Sequence, residues 1–107
     1  MKILVIVPAY NEEQSVGEVI KRIKENIPQS TVLVINDGSK DNTHNAALSA
    51  GAKVIDLPFN LGIGGAMQTG YLYAFQNDYD IAVQVDADGQ HDPAYLRRLI
   101  KPVAKDL

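Results

Sequence analysis

The chain has 107 residues, of which 46% are hydrophobic and 21% are charged, and its formal net charge is -3. This length fits one small domain, and the composition is that of an ordinary globular protein rather than a disordered one. The acidic balance argues against a nucleic-acid partner, and the absence of cysteine excludes disulfides and thiolate metal sites. Since no apolar stretch approaches the roughly 20 residues of a membrane span, we expect a cytoplasmic chain without a span of its own.

The sequence predicts four strands that alternate with four helices along the chain. Each predicted strand is a short apolar run rich in β-branched side chains, and each predicted helix has apolar residues at helical spacing. The predicted strands are residues 2–7, 31–35, 53–57 and 81–85. The predicted helices follow them at about residues 12–27, 41–50, 66–76 and 93–103. Proline or glycine marks several of their ends, at Pro8, Pro28, Gly51, Pro58 and Pro93.

This alternation predicts one α/β domain over residues 1–107, with a parallel sheet of about four strands and helices on both faces. We expect the strand order 3-2-1-4, in which the first and fourth strands are neighbours. In an open parallel sheet, ligands bind outside the carboxyl ends of the strands, where the strand order reverses. The unusual residues follow three strand ends, at residues 8–12, 37–39 and 86–88. We therefore expect these three loops to share one cleft.

The fourth strand runs into a cluster of carboxylates at Asp86, Asp88 and Asp92. Carboxylates this close repel one another, and a divalent metal with a phosphate beyond it relieves the repulsion. Gln90 could add a carbonyl oxygen to Mg²⁺ or Mn²⁺ at Asp86 and Asp88. The two aspartates could instead only cap the final helix and shape a turn. A calcium EF-hand fails on spacing, because His91 occupies its required glycine position.

Residues 60–70 contain four glycines. A dinucleotide-binding loop would need another glycine at Met67, and a phosphate-binding P-loop would need lysine at Tyr71. Small residues would let the backbone approach a diphosphate at a helix N-terminus, or would only allow close packing against another backbone. Both interpretations stay open.

Two further acidic residues, Asp37 and Glu12, each have a functional and a structural interpretation. Asp37 could accept a hydrogen bond from a base N–H while Tyr10 or Pro8 lies against the ring. Asp37 could equally cap the second helix, and Glu12 could only favour the dipole of the first helix. We interpret His44 as part of the helix surface.

Four motifs together resemble the family 2 GT-A glycosyltransferases. They are Pro8-Ala9-Tyr10-Asn11-Glu12, Asn36-Asp37-Gly38-Ser39-x-Asp41-x-Thr43, Asn60-x-Gly62-x-Gly64-Gly65-Ala66 and Asp86-Ala87-Asp88-Gly89-Gln90-His91. The chain is most similar to the branch of dolichyl-phosphate mannosyltransferases and polyprenyl-phosphate sugar transferases, over essentially all its length. The resemblance implies a Rossmann-like GT-A half that binds a UDP- or GDP-sugar with Mg²⁺ or Mn²⁺. It also implies inverting transfer, to a polyprenyl phosphate or another acceptor.

Motif positions in this family imply a role for each site residue. The nucleoside would be held by Pro8, Ala9, Tyr10, Glu12, Ile35 and Asp37. The ribose and diphosphate would meet Asp86 and Ala87, and the metal would meet Asp86, Asp88 and Gln90. Asn36 stands where many relatives carry aspartate, and we expect little loss, because Asp37 is the residue assigned to the base.

The family places its catalytic base, its acceptor pocket and its basic residues for the diphosphate beyond residue 107. Only Asp106 follows the start of the final helix, so the catalytic residues of this chain are unknown. We therefore expect the donor-binding part of a longer transferase, inactive alone, that self-associates through an uncovered sheet edge and apolar face. The full-length protein would act at the cytoplasmic face of a membrane.

Two alternative functions have different requirements. A receiver-like signalling module would need an acceptor aspartate after the third strand, where the chain has Leu57-Pro58-Phe59. A nucleotidyltransferase is the other alternative.

Overall fold

A computed structural model describes residues 1–89 and 101–102 of the chain. In this part, the strands are β1 (Ile3–Ala9), β2 (Thr31–Asn36), β3 (Lys53–Asp56), β4 (Ile81–Gln84) and β5 (Lys101–Pro102). The helices are α1 (Val16–Asn26), α2 (Thr43–Ser49) and α3 (Gly62–Gln76). None of the helices in these ranges is long and apolar enough to cross a membrane.

The five strands form one sheet in the order β3-β2-β1-β4-β5. The first four strands are parallel, so the predicted order 3-2-1-4 is confirmed. β5 is antiparallel to β4 and pairs with Ile81 and Ala82. The prediction of a helix over residues 93–103 is therefore wrong at Lys101 and Pro102, and its other residues lie outside the described ranges. Proline breaks a helix interior and is tolerated on an edge strand, which is where Pro102 lies.

The strand β1 is the centre of the sheet, and its side chains alternate between two apolar clusters. Val5 and Val7 pack on one face with the apolar side of α1, including Ile20. Leu4 and Ile6 pack on the other face with residues of α3. Because helices cover both faces, β1 needs apolar residues at every position, which explains its continuous hydrophobic run.

The sequence predicted that Pro8 ends the first strand, but Pro8 lies within β1. The carbonyl of Ile6 accepts a hydrogen bond from the Val85 N–H on the β4 side of the strand. Pro8 faces the same side two residues later, where β4 has already ended at Gln84. Its missing N–H therefore costs no bond in the sheet, and β1 continues to Ala9 beside β2.

Two helices begin at other residues than the sequence predicts. Glu12 lies before α1, in a turn where its carbonyl accepts hydrogen bonds from the N–H groups of Ser15 and Val16 at 3.1 and 2.9 Å. The helix α3 begins at Gly62 rather than at Ala66, so the glycines form its first turn. The cause of this early start is a contact with Asp37, described below.

Candidate functional site

The loops that follow β1, β2 and β4 meet in a cleft of about 250 Å³ at the carboxyl edge of the sheet. The residues that line this cleft are Pro8, Ala9, Glu12, Ile63, Asp37, Asp86, Ala87 and Asp88. All but Ile63 are residues to which the sequence assigned a site role. Their meeting follows from the strand order, because β1 separates β2 from β4 and all three strands end at the same edge.

Two residues with predicted site roles, Ile35 and Tyr10, do not line the cleft, and a third is not described. The side chain of Ile35 is completely buried in the apolar cluster that faces α3. Tyr10 is exposed and lines a second cavity beside the cleft. Gln90 lies outside the described residues.

The loop after β1 is held in place by the loop after β2. Asn11 has a left-handed backbone conformation, with φ of 54°. Its N–H donates to Ser39 Oγ at 2.9 Å, and its Oδ1 accepts from the Lys40 N–H at 2.8 Å. The Glu12 N–H donates to Thr43 Oγ1 at 3.0 Å. The second motif of the sequence therefore fixes the backbone that presents Glu12 to the cleft.

Asp41 joins the same loop to the start of α2. Its Oδ1 accepts the Thr43 N–H at 3.0 Å and the Thr43 hydroxyl, while Oδ2 accepts the Glu13 N–H at 3.3 Å. The hydroxyl of Thr43 and these N–H groups outweigh desolvation and lower the pKa of Asp41. Asp41 therefore supplies a side-chain bond to the α2 backbone, whereas Asn42, directly before the helix, makes no side-chain cap bond.

The Ser15 side chain connects the loop after β1 to the loop after β4. No pattern in the sequence predicts this contact. Ser15 Oγ lies 2.7 Å from the carbonyl oxygen of Ala87 and 2.9 Å from Oε2 of Glu12. Both are acceptors and the hydroxyl carries one hydrogen, so Ser15 donates to one of them at a time or shares the hydrogen between the two, and it links the loops that carry Glu12 and Asp86.

Asp37 supports the N-terminus of α3 from the floor of the cleft. It is 4% exposed, and its two oxygens accept the N–H groups of Leu61 at 2.7 Å and Gly62 at 3.0 Å. A carboxylate satisfies the free N–H groups of a helix start and favours its dipole. Asp37 therefore stabilises the start of α3, whereas the sequence had offered the second helix as its structural alternative.

The metal-binding prediction concerns the loop after β4. Asp86 is partly buried and its Oδ1 accepts from Gln84 Nε2 at 3.1 Å, while Asp88 is exposed. Among the described residues that line the cleft, four are carboxylates and none is Lys, Arg or His. The N–H groups at the start of α3 compensate the charge of Asp37. Carboxylate oxygens gathered in one cleft are the donors that a divalent cation takes.

The oxygen donors of the cleft fit a hard cation such as Mg²⁺ or Mn²⁺. Within residues 1–89 and 101–102, no three acidic, histidine or cysteine side chains are grouped closely enough to hold a metal. Mg²⁺ commonly takes one or two carboxylates and completes its shell with phosphate oxygens and water. Asp86 and Asp88 match that requirement.

The second cavity, which we call the side cavity, has a volume of about 780 Å³ and lies between the loops after β2 and β3. It is lined by Tyr10, Asn36, Gly38, Ser39, Lys40, Asp41, His44, Asp56, Leu57, Pro58, Phe59 and Asn60. His44 is more than helix surface, because its Nδ1 lies 2.7 Å from Asp56 Oδ2. Asp56 was missed, although it is the polar residue at the carboxyl end of β3, and the rule applied to the other three strands would have found it.

The glycines near the two cavities have different structural reasons. At Gly38, φ is 74° and an added Cβ would lie 2.5 Å from the backbone nitrogen of Asn60, so the two loops touch through their backbones. At Gly70, an added Cβ would lie 2.5 Å from Ile6 Cγ2, which indicates close packing of α3 on β1. At Gly64 there is open space. Close packing therefore explains Gly70, and an approach to a ligand remains open at Gly64.

A family model described as Glycosyl transferase family 2 matches residues 4–107. The chain belongs to this family. It is 36% identical to the undecaprenyl-phosphate mannosyltransferase of Micrococcus luteus, over 96% of this chain and 44% of that protein. It is 33% identical to the polyprenol monophosphomannose synthase of Mycolicibacterium smegmatis, over 94% of this chain and 40% of that protein. The chain thus spans less than half the length of these glycosyltransferases.

The structure of this glycosyltransferase chain is also similar to a solved one. Glucosyl-3-phosphoglycerate synthase from Mycobacterium tuberculosis, in complex with Mn²⁺, UDP and glucosyl-3-phosphoglycerate, matches with a TM-score of 0.75 and 27% identity. The match covers 90% of this chain and 37% of that one. The predicted Rossmann-like GT-A fold is confirmed. Because the chain belongs to this family, we no longer favour the receiver-like signalling module or the nucleotidyltransferase as its function.

Proposed function

We propose that the chain is the donor-binding part of an inverting glycosyltransferase and that the cleft binds a nucleotide-diphosphate sugar together with Mg²⁺ or Mn²⁺. The observation that carries this proposal is the convergence of Glu12, Asp86 and Asp88 in one cleft at the strand-order reversal. A diphosphate is an anion, and a metal lets such a cleft bind it. The relative solved with Mn²⁺ and UDP supports the same ligand class.

Each part of the cleft has a role in this proposal. Asp86 and Asp88 hold the metal, joined by Gln90, and the metal supplies charge neutralisation for the diphosphate leaving group. Asp86 and Ala87 lie beside the ribose and diphosphate. The nucleoside contacts Pro8, Ala9, Tyr10, Glu12 and Asp37. Ile35, whose side chain is buried in the core, supports this site only as part of β2. Ser15 positions Glu12 relative to Ala87, because its Oγ lies within hydrogen-bond distance of both.

We extend the proposal to the whole protein on the basis of the relatives. Their names state undecaprenyl phosphate and polyprenol as the lipid partners, so we propose a polyprenyl phosphate acceptor at the cytoplasmic face of a membrane. The 107-residue chain alone would bind the donor with negligible transfer. We also propose that it self-associates through the exposed apolar side chains of α3.

The donor site is tested by the melting temperature of the chain with Mn²⁺ and a nucleoside diphosphate, added separately and together. A ligand at 100 times its Kd stabilises the folded state by about 2.7 kcal/mol, which raises the melting temperature by about 10 to 20 °C in a domain of this size. We expect this rise only when both are present.

The matched variants are Asp88→Ala in the cleft and Glu25→Ala on the exposed surface of α1. We expect Asp88→Ala to abolish the metal-dependent rise and Glu25→Ala to retain it. If neither GDP nor UDP raises the melting temperature with Mn²⁺, the proposed function is wrong.

A further inference from the structure

The sequence contains two Asp-Gly pairs, Asp37-Gly38 and Asp88-Gly89, and both aspartates line the cleft. Such a pair is the chemical setting for a spontaneous rearrangement of the backbone. The glycine nitrogen attacks the carboxyl carbon of the aspartate side chain and a C–N bond forms, while the N–H proton and a carboxyl OH leave as water. The product of this first step is a five-membered succinimide ring.

Water then adds to one of the two ring carbonyls and breaks its bond to the glycine nitrogen. When the bond to the original backbone carbonyl breaks, the product is isoaspartate, in which the backbone runs through the former side-chain carboxyl. One water has left and one has entered, so the composition of the chain is unchanged. Glycine favours the first step because it has no Cβ to hinder the attacking nitrogen. In a folded chain, the step also requires that the carboxyl carbon and the nitrogen can approach each other.

The fold holds the two reacting groups of the first pair apart. Asp37 is 4% exposed, and its oxygens accept the N–H groups of Leu61 at 2.7 Å and Gly62 at 3.0 Å. The Gly38 N–H donates to the carbonyl of Asn36 at 2.9 Å. The bonds to the carboxylate must break before the nitrogen can attack, and two hydrogen bonds to a charged group slow such a step by about 100-fold or more.

The second pair has different surroundings. Asp88 and Gly89 are both exposed, in the turn that follows β4. At Gly89, φ is 78°, and the only described atom within 4 Å of an added Cβ would be Val19 Cγ2, at 3.8 Å. At Gly38, by contrast, an added Cβ would lie 2.5 Å from a backbone nitrogen. The described residues around Gly89 therefore leave room for the ring that the reaction forms.

We propose that Asp88 is a site of spontaneous isoaspartate formation and that the fold protects Asp37 from the same reaction. Isoaspartate has one more backbone carbon and a side chain shorter by one carbon, so the carboxylate moves relative to the cleft. The consequence for binding rests on the proposed function. If Asp88 holds the metal, the modified chain loses metal-dependent donor binding, and a bound metal protects Asp88 by fixing its carboxylate.

The test is peptide mapping of the 107-residue chain after several weeks at physiological pH and temperature. Isoaspartate has the same mass as aspartate, so it is quantified by chromatographic separation of the peptides and by labelling with an isoaspartyl methyltransferase. In the native chain, we expect isoaspartate to form at least about 10-fold faster at Asp88 than at Asp37. In denaturant, the contacts of Asp37 are lost and the two rates should become similar. The two peptides come from the same digest, so each is the control for the other.

The matched variant is Gly89→Asn, because φ of 78° is tolerated by asparagine better than by other residues with a side chain. The added side chain hinders the attacking nitrogen, so the yield at Asp88 should fall while the yield at Asp37 is unchanged. A native chain in which Asp88 reacts no faster than Asp37, or a rate at Asp37 that denaturant does not raise, would overturn the proposal.

A second arm of the same experiment adds Mn²⁺ with UDP or GDP. We expect the ligands to slow the reaction at Asp88 and to leave the rate at Asp37 unchanged. If Asp88 reacts at the same rate with and without them, its role as a metal ligand is wrong, whereas its assignment as the reactive site stands. The two failures are therefore distinguishable.

Discussion

At the scale of single residues, Asp37 shows how one side chain can join distant parts of the chain. It is nearly completely buried at the end of β2, yet its carboxylate binds the N–H groups that open α3, more than 20 positions later. Its own N–H donates to the Ala9 carbonyl at 2.8 Å. Asp37 therefore fixes the relative positions of the loops after β1 and β2 and the first turn of α3.

We expect Asp37→Ala to lower the free energy of unfolding by about 2 kcal/mol, because it leaves two backbone N–H groups of α3 without their acceptor. Chemical denaturation measures this loss. The control is Asn42→Ala at the start of α2, where the side chain makes no cap bond and the expected change is within about 0.5 kcal/mol. Equal effects of the two substitutions would contradict the role of Asp37.

The residue scale also separates what the sequence could predict from what it could not. The sequence predicted that Asp86, Asp88 and Glu12 share one cleft, because each follows a strand end, and all three line it. Asp56 was within reach of the same rule, because it ends β3, whereas the role of Ser15 depends on a contact with Ala87, far along the chain. No local pattern encodes such contacts.

At the scale of elements, the helix α3 begins at Gly62, whereas the sequence predicted a start near Ala66. The four predicted strands lie within about two residues of β1 to β4. For β1 and β2, burial on both faces imposes the continuous apolar runs that reveal them in the sequence. The start of α3 was missed because glycine has low helix propensity, and the tertiary contact with Asp37 overrides it. The fifth strand was missed because β5 has only two residues and follows a segment with helical spacing.

The glycines of α3 give a prediction at this scale. Gly70→Ala adds a Cβ 2.5 Å from Ile6 Cγ2, and overpacking of a core costs about 1 to 3 kcal/mol. Gly64→Ala meets no atom within 4 Å and removes backbone freedom from the unfolded chain, so it should stabilise by up to about 1 kcal/mol. Thermal or chemical denaturation should therefore show a lower stability for Gly70→Ala and a higher stability for Gly64→Ala. If both substitutions stabilise, the contact between α3 and β1 is looser than the structure indicates.

At the scale of the whole molecule, the charge and the apolar surface are unevenly distributed. The chain carries 23 charged residues by its Lys, Arg, Asp and Glu counts, yet none lies within the 15 residues of α3. Tyr71, Leu72 and Phe75 are 45, 55 and 48% exposed on this helix. The sheet edge beside β4, which the sequence suggested as an open edge, is paired with β5 over two residues. The exposed face of α3 is therefore the surface that we propose for self-association.

Sedimentation velocity of the isolated chain at high micromolar concentration should show dimers or larger species. A charge placed on this face should convert them to monomer, so we expect monomer for Leu72→Glu. Leu48→Glu is the matched control, because Leu48 is 48% exposed on α2, which packs on the opposite face of the sheet. A wild-type chain that sediments as a monomer would contradict the proposal.

The central position of β1 sets the order in which the chain can fold during synthesis. β1 is made first and pairs with β2 on one side, but its other edge waits for β4, which begins at Ile81. At a synthesis rate of about 5 to 20 residues per second, roughly 2 to 10 seconds pass between the completion of β2 and that of β4. During that interval the most apolar strand of the sheet has an open edge, which can pair with other chains. The nascent protein is therefore most vulnerable to aggregation before its carboxylate-bearing loop has emerged.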